Sequence, residues 1–294
     1  MIIVFGSINI DQVYQVGKLP APGETVLGAG YMQVPGGKGA NQALAARRSG
    51  AEVTMAGCVG SDANGDLAMA LMKNDGVSLD HISICSLPTG CASIWVDGQG
   101  ENSIVVSSGA NEQARAEQVP VDQLASCDLL LLQMEVDAAE NWKLLEHAKR
   151  QNVSTLLNVA PVGLVPASAL YNLDYLVVNE IEAAELARQH RFDFADEEEL
   201  ALMFSEKFDL CCLLTLGARG VLAANGSQIT RVAAMDVMPV DTTAAGDSFI
   251  GGFSAAISKG NSLENALDYA TKVAAVTCTR LGAQSSIPFI SEIT

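Results

Sequence analysis

A doubly wound, mainly parallel α/β sheet flanked by helices, with a small inserted β-sheet able to act as a lid, is the fold class this sequence predicts. Three observations carry the prediction. Short, nearly all-apolar runs recur along the chain, as strands buried on both faces do. Helical patterns separate them, and several close on a glycine, as a left-handed cap requires. Two segments break this alternation and fit no helix.

The elements follow in order. The chain opens on the strand-like Ile2-Ile3-Val4-Phe5, and further strands are predicted at Val53 to Val59, Leu129 to Leu132, Thr155 to Leu157, Tyr175 to Val178 and Leu210 to Thr215. Helical spacing covers Lys38 to Ser49 before Gly50, Leu67 to Asp75 before Gly76, and Ala138 to Arg150. It returns over Ile181 to Gln189, Ser248 to Lys259 before Gly260, and Leu263 to Thr279. Glu197-Glu198-Glu199 reads as a solvated first helical turn whose charges complement the helix dipole. The stretch from about Asp11 to Pro35 is punctuated by Gly and Pro, and Thr89 to Ser108 holds the alternating runs Cys91 to Val96 and Ser103 to Val106. Both read as strands of a second sheet inserted twice into the main domain.

At 294 residues and 49% hydrophobic, the chain can bury a large core as one big domain, or a domain with a small appendage. A net charge of −17 without any Lys/Arg run argues against nucleic acid or an anionic membrane as partner. It does not argue against a nucleotide, because backbone amides, one or two cations and a metal can hold phosphates. Seven cysteines show no Cys-x-x-Cys spacing and include Cys211-Cys212 inside an apolar run, so they read as small buried hydrophobes in a reducing compartment. The three histidines form no zinc motif. No basic flank precedes the first strand and no apolar run could span a bilayer, so the expected location is the cytoplasm.

The chemistry concentrates in Asp241-Thr242-Thr243-Ala244-Ala245-Gly246-Asp247, which opens the apolar helix Ser248 to Lys259. A small-residue turn at a helix start leaves backbone N–H groups unpaired and suited to a phosphate. Asp247 beside it can take the proton of an incoming hydroxyl, which is what phosphoryl transfer to an alcohol needs. The competing reading makes Asp247 an ordinary N-cap. Gly36-Gly37-Lys38-Gly39-Ala40-Asn41 is not a P-loop, since Lys38 is followed by Gly. Its glycines admit a ligand to the backbone, while Lys38 and Asn41 offer donors to hydroxyls; a tight turn capping a helix is the alternative.

Gly6-Ser7-Ile8-Asn9-Ile10-Asp11 follows the first strand, so Asn9 and Asp11 can both face a ligand crevice. Asn179-Glu180-Ile181-Glu182 also lies at a strand's carboxyl end. Its acids could hold magnesium through water, or Asn179 and Glu182 could form a capping box, and the two readings are compatible. Thr215-Leu216-Gly217-Ala218-Arg219-Gly220 is another strand-to-turn segment open enough for a nucleotide.

In chain order, Gly36 to Asn41, Asn179 to Glu182, Thr215 to Gly220 and Asp241 to Asp247 together resemble the ribokinase-like (PfkB) family of carbohydrate kinases, from Ile2 to about Pro288, and Gly6 to Asp11 fits the same pattern. Pro22-Gly23-Glu24-Thr25, Ser108-Gly109-Ala110-Asn111 and Arg280-Leu281-Gly282-Ala283-Gln284 extend the match. The resemblance implies one kinase domain over residues 1–294, with lid segments at about 11–35 and 89–108. It implies ATP-dependent phosphorylation of a sugar, D-ribose at O5, by the catalytic base Asp247, with an anion hole at Ala244, Ala245 and Gly246. The alternatives are a family kinase acting on a nucleoside or another sugar, and a non-catalytic sugar-binding regulator. By similarity, Asn9, Asp11, Gly37, Lys38, Asn41, Glu135 and Asp247 bind the sugar. Asn179, Thr215, Gly217 and Gly220 lie along ATP, and Glu182 positions Mg²⁺ indirectly. A K⁺ activator maps onto Asp241, Thr243, Thr277, Arg280, Gly282 and Ser286, mostly through backbone carbonyls. Many members carry Gly in place of Ala244, and the helix around Thr271 and Lys272, expected to face the adenine, follows no strict pattern. The resemblance also implies a homodimer formed through the lid.

Overall fold

Ile2–Phe5 sends alternate side chains into two buried layers, and the main sheet repeats that pattern across its width. The computed structural model describes residues 1–293; Thr294, the last residue of the domain expected over 1–294, lies outside them. The strands in chain order are β1 (Ile2–Phe5), β2 (Asn9–Val16), β3 (Gly28–Gly36), β4 (Val53–Gly60), β5 (Ser78–Cys85), β6 (Gly90–Val96) and β7 (Asn102–Ser107). They continue as β8 (Leu129–Leu132), β9 (Ser154–Asn158), β10 (Tyr175–Asn179), β11 (Cys211–Thr215), β12 (Val221–Asn225) and β13 (Gln228–Val232). The helices are α1 (Lys38–Arg48), α2 (Ala63–Asn74), α3 (Val121–Ser126), α4 (Ala138–Gln151) and α5 (Ala167–Leu170). After them come α6 (Glu180–His190), α7 (Glu197–Phe208), α8 (Ala245–Ser258) and α9 (Leu263–Cys278).

The main sheet has the order β13-β12-β11-β10-β9-β8-β1-β4-β5, parallel from β11 to β5 and antiparallel only at the β12–β13 edge. On one face Ile3, Phe5, Leu130 and Leu132 pack with Leu144 of α4, Leu186 of α6 and Phe204 of α7. On the other, Ile2, Val4, Leu129 and Leu131 pack with Leu44 of α1, Phe253 of α8 and Leu267 of α9. All four leucines of β8 are fully buried, each contributing about 1.5–3 kcal/mol of apolar transfer. That two-sided burial is why the strands read as unbroken apolar runs.

The second sheet has the order β3-β2-β6-β7, with β2 parallel to β6 and antiparallel neighbours outside. Its limits differ slightly from the expected 11–35 and 89–108. Asn9 pairs with both Gly36 and Gly90, so pairing starts as soon as the chain leaves the main sheet. Tyr31, Met32, Ile104, Val105 and Val106 are exposed on this sheet.

Three further differences have local causes. Helix α2 begins at Ala63 rather than Leu67, because Asp62 caps it by accepting the Gly65 N–H at 2.9 Å. Its polar first turn carries none of the apolar period. Helix α8 begins at Ala245 rather than Ser248, which puts Asp247 inside its first turn. Strands β5, β12 and β13 were not anticipated; β5 and β13 are edge strands, only partly buried, and lack the continuous apolar signature. All seven cysteines are free thiols, and Cys58, Cys127, Cys211 and Cys212 are buried. No helix among the described residues is long and apolar enough to cross a membrane.

Candidate active site

Chain order runs outward from β1 in both directions, through β4 on one side and β8 on the other. The crevice beyond the carboxyl ends of β1 and β8 is therefore the topological switch point, where open α/β sheets bind ligands. Ser7 and Glu135 meet across it: the Ser7 hydroxyl donates to Glu135 Oε2 at 2.6 Å. The Lys38 backbone N–H donates to the same oxygen at 3.0 Å, and the Gly39 N–H donates to Ser7 Oγ at 3.2 Å. The start of α1 is thus tied to the ends of two strands, and Glu135 keeps its second oxygen for a ligand.

Asp247 enters this crevice from the opposite side. Ala244, in the left-handed region at φ 60°, holds the N-cap position of α8, and no side chain caps the helix. Asp247 is therefore not a cap. The residue is only 8% exposed. Oδ2 accepts from Asn41 Nδ2 and Oδ1 from Gln42 Nε2, each at 2.9 Å. Close helix packing makes this meeting possible. A Cβ on Gly251 of α8 would lie 2.4 Å from the Ala45 Cβ of α1, so only glycine lets the two helices approach this far. At the turn itself, the Ala245 N–H donates to the Thr242 carbonyl at 3.2 Å. Among the described residues no acceptor takes the Ala244 or Gly246 N–H.

Asn9 and Asp11, two apart on β2, share a face at the base of the small sheet. The Asn9 Oδ1 accepts from Asn111 Nδ2 at 2.6 Å, which leaves its amide N–H₂ free to donate. Burial, reinforced by Glu135 and Asp247 and opposed by Lys38, pushes the Asp11 carboxyl up to about 7. Burial alone would push the Lys38 ammonium down, but the carboxylates of Asp247, Glu135, Glu182 and Asp11 outweigh it and hold Lys38 charged. Gly37 sits at φ 89°, where an added Cβ would lie 2.8 Å from the Asn9 nitrogen. Asn41 Oδ1 is buried with no partner among the described residues, an acceptor awaiting a donor.

Two cavities meet at the start of α8. The smaller, about 170 Å³, is lined by Lys38, Asn158, Glu182 and Asp247. The larger, about 820 Å³, carries Gly217 and Gly220 on one wall and Phe249, Met235, Val237 and Cys278 on another. Asn179, Thr215 and Gly246 line both. Thr271 also lines the larger cavity, its buried hydroxyl without a partner among the described residues. Asn179 and Glu182 form the capping box: Glu182 N–H donates to Asn179 Oδ1 and Asn179 N–H to Glu182 Oε2, both at 2.8 Å. One Glu182 oxygen remains for the small cavity. Burial raises the Glu182 carboxyl against the opposing pull of the Asn179 N–H and Lys38.

Asp241 ties two distant stretches together. Its Oδ1 accepts the Thr243 N–H and its Oδ2 the Gly282 N–H, each at 2.9 Å. The Thr277 hydroxyl donates to the Val273 carbonyl and the Ser286 hydroxyl to the Ala283 carbonyl, while the Arg280 guanidinium turns outward to Glu292. Any part these three play toward a cation falls to backbone oxygens. No cluster of three or more His, Cys, Asp or Glu side chains able to hold a metal exists among the described residues.

The model of the pfkB family carbohydrate kinases matches residues 1–290. This chain belongs to the PfkB family of carbohydrate kinases. It is 38% identical over 288 residues to the ribokinase of Haemophilus influenzae, covering 97% of this chain and 94% of that one. The crystal structure of a ribokinase from Thermotoga maritima superposes with a TM-score of 0.93 at 36% identity, covering 99% of this chain and 97% of the other. An Arabidopsis thaliana ribokinase complexed with ribose and ATP superposes with a TM-score of 0.88 at 29% identity, covering 99% and 96%.

Four residues around this crevice escaped the sequence reading. Ser7 and Asn111 lay inside quoted motifs without a role, and both hold site residues in place. Gln42 donates to Asp247 and also to Asn158, which stands behind it. The available signal was polarity: Gln42 falls in the alanine-rich run of α1, and Asn158 directly follows the apolar pair Leu156-Leu157.

Proposed function

We propose that this protein is an ATP-dependent ribokinase, transferring the γ-phosphoryl group of ATP to O5 of D-ribose. The observation that carries the reading is the position of Asp247, in the smaller cavity one residue past Gly246, which lines both cavities, with both carboxylate oxygens oriented by amide donors. The full-length likeness to ribokinases supports the substrate.

The larger cavity fits a nucleotide: apolar walls for a base, and glycines that admit phosphates to the backbone. The polar group around Asn9, Asp11, Gly37, Lys38, Asn41 and Glu135 fits a small polyol, which needs many short donors and acceptors. Asn9 and Lys38 donate; Asp11, Glu135 and the unpartnered Asn41 Oδ1 accept. Asp247 takes the proton of the sugar hydroxyl as its oxygen bonds to phosphorus. The bond from phosphorus to the bridging oxygen then breaks, and ADP leaves. The Ala244 and Gly246 N–H groups at the start of α8 face the charge that develops on the transferred group. Residues 1–294 act as one kinase domain in this reading, and the small sheet serves as its lid.

Glu182 offers one free carboxylate oxygen to the small cavity, a donor set that suits Mg²⁺ held mainly by phosphates and water. Bound there, the ion would neutralise phosphate charge. Asp241 and the carbonyls of Thr243, Thr277, Arg280, Gly282 and Ser286 form an all-oxygen set suited to K⁺.

The test is ADP release over a panel of pentoses, hexoses and nucleosides. Ribose should have the highest kcat/KM. Turnover of nucleosides in preference to ribose would replace the substrate assignment, and no turnover with any acceptor would leave a sugar-binding regulator.

A further inference from the structure

Behind Asp247 lies a chain of buried side-chain amides, of which only Asn158 also lines the small cavity. Gln42 and Gln133 are fully buried and Asn158 is 6% exposed. Gln133 Nε2 donates to Gln42 Oε1 at 2.8 Å. Gln42 Nε2 then donates twice, to Asp247 Oδ1 at 2.9 Å and to Asn158 Oδ1 at 3.1 Å. Asn158 Nδ2 donates onward to the Val177 carbonyl at 3.3 Å, and Asn141 Nδ2 to the Gln133 carbonyl at 2.7 Å.

The direction of this chain follows from its chemistry. If the Gln42 amide were flipped, its oxygen would face two other acceptors, the Asp247 carboxylate and Asn158 Oδ1, and its nitrogen would face the nitrogen of Gln133. The Asp247 carboxylate can only accept, so it fixes Gln42 Nε2 as the donor, although Gln133 Oε1 is left buried without a partner among the described residues. Space is equally restrictive, because a Cβ on Gly6 would lie 1.9 Å from Gln133 Oε1. A donor is therefore fixed against Oδ1 before any substrate arrives, while Asn41 holds Oδ2 from the sugar side. Each carboxylate oxygen accepts about two hydrogen bonds, so one direction on each stays available to a hydroxyl.

We infer that Gln42 is a positioning residue, which sets the orientation of the Asp247 carboxylate through the buried Gln133–Gln42–Asn158 amide chain and so governs turnover rather than sugar binding. The inference rests on Asp247 acting as the base. Gln42 is fully buried behind Asp247, so its removal should act on kcat.

Gln42→Leu keeps the volume and removes the donor. It should lower kcat by about 10- to 100-fold while the KM for ribose stays within about threefold and ribose binding by calorimetry persists. Gln42→Glu supplies the discriminating readout. Its neutral acid can donate to Asp247 but its anion repels it, so its kcat relative to the parent should fall by about tenfold or more from pH 6 to pH 9. If Gln42→Leu does not fold, the pH profile of Gln42→Glu and the kcat of Gln133→Leu carry the test. Soluble Gln42 variants with parental kcat and a parental pH profile would overturn the inference, as would a loss confined to KM. Asp247→Asn separates the two readings. An inactive Asp247→Asn beside fully active Gln42 variants refutes only the positioning role. An active Asp247→Asn refutes the base itself.

Discussion

In the proposed transfer, Asp247 is the residue on which the chemistry depends. Asp247→Asn keeps its shape and removes the base, so kcat should fall by about two to four orders of magnitude while ribose still binds, as steady-state kinetics and calorimetry together would register. Asp11 differs in kind, because its carboxyl is displaced from 3.8 up to about 7. Folding therefore favours its protonated form. That contribution is fully present below about pH 3.8 and is lost as pH rises through about 7. Asp11→Asn removes the loss, so the ligand-free variant should gain on the order of 2 kcal/mol over the parent between pH 5 and pH 8, even as it binds ribose less well. Parallel curves of Tm against pH for the two proteins would show that Asp11 is not under this strain. Ala244 carries a strain of backbone instead, at φ 60°. Ala244→Gly should change stability by less than about 1 kcal/mol, since relief of the left-handed strain offsets the added freedom of the unfolded chain. Ala244→Val, branched at a position that disfavours branching, should lose both stability and turnover.

Among the elements, the α1–α8 pair matters most, because Lys38, Asn41 and Gln42 sit on one helix and Asp247 on the other. Their close approach at Gly251 sets the distance between Asp247 and the side chains of Asn41 and Gln42. Gly251→Ala should cost about 1–3 kcal/mol through overpacking and lower kcat as well, by parting Asp247 from its two amide donors. A melting curve and a kcat measurement on the same preparation would reveal whether the two losses occur together. The 241–243 and 277–286 stretches form a second coupled pair, joined by Asp241. K⁺ should raise turnover and Na⁺ much less, and Asp241→Asn should abolish the difference. Equal rates in the two salts at matched ionic strength would remove a cation from this part of the fold.

At the scale of the whole molecule, the small sheet leaves Tyr31, Met32, Ile104, Val105 and Val106 exposed. A four-stranded sheet with so much uncovered apolar surface gains from a partner. The expected outcome is a two-fold dimer through these sheets, each also covering its own sugar site, detectable by light scattering at micromolar concentration. A fully active monomer would show that each lid closes alone.

The sequence by itself determined the central strands, because Ile2–Phe5 and Leu129–Leu132 are buried on both faces and must be continuously apolar. It also pointed to Gly36 to Asn41 and Asp241 to Asp247, which combine backbone freedom with reactive side chains over a few residues and which the fold brings together. Edge strands were hidden, because β5 and β13 are only partly buried and their residues need not be apolar. The tertiary structure alone decided that Asp247 follows the cap, that Gly251 brings α8 against α1, and that Gln42 and Asn158 stand behind the carboxylate. Each of these depends on partners far apart in the chain: Gln42 and Asp247 are 205 positions apart. Local periodicity reports which face of an element is buried, but only packing reports what that face meets.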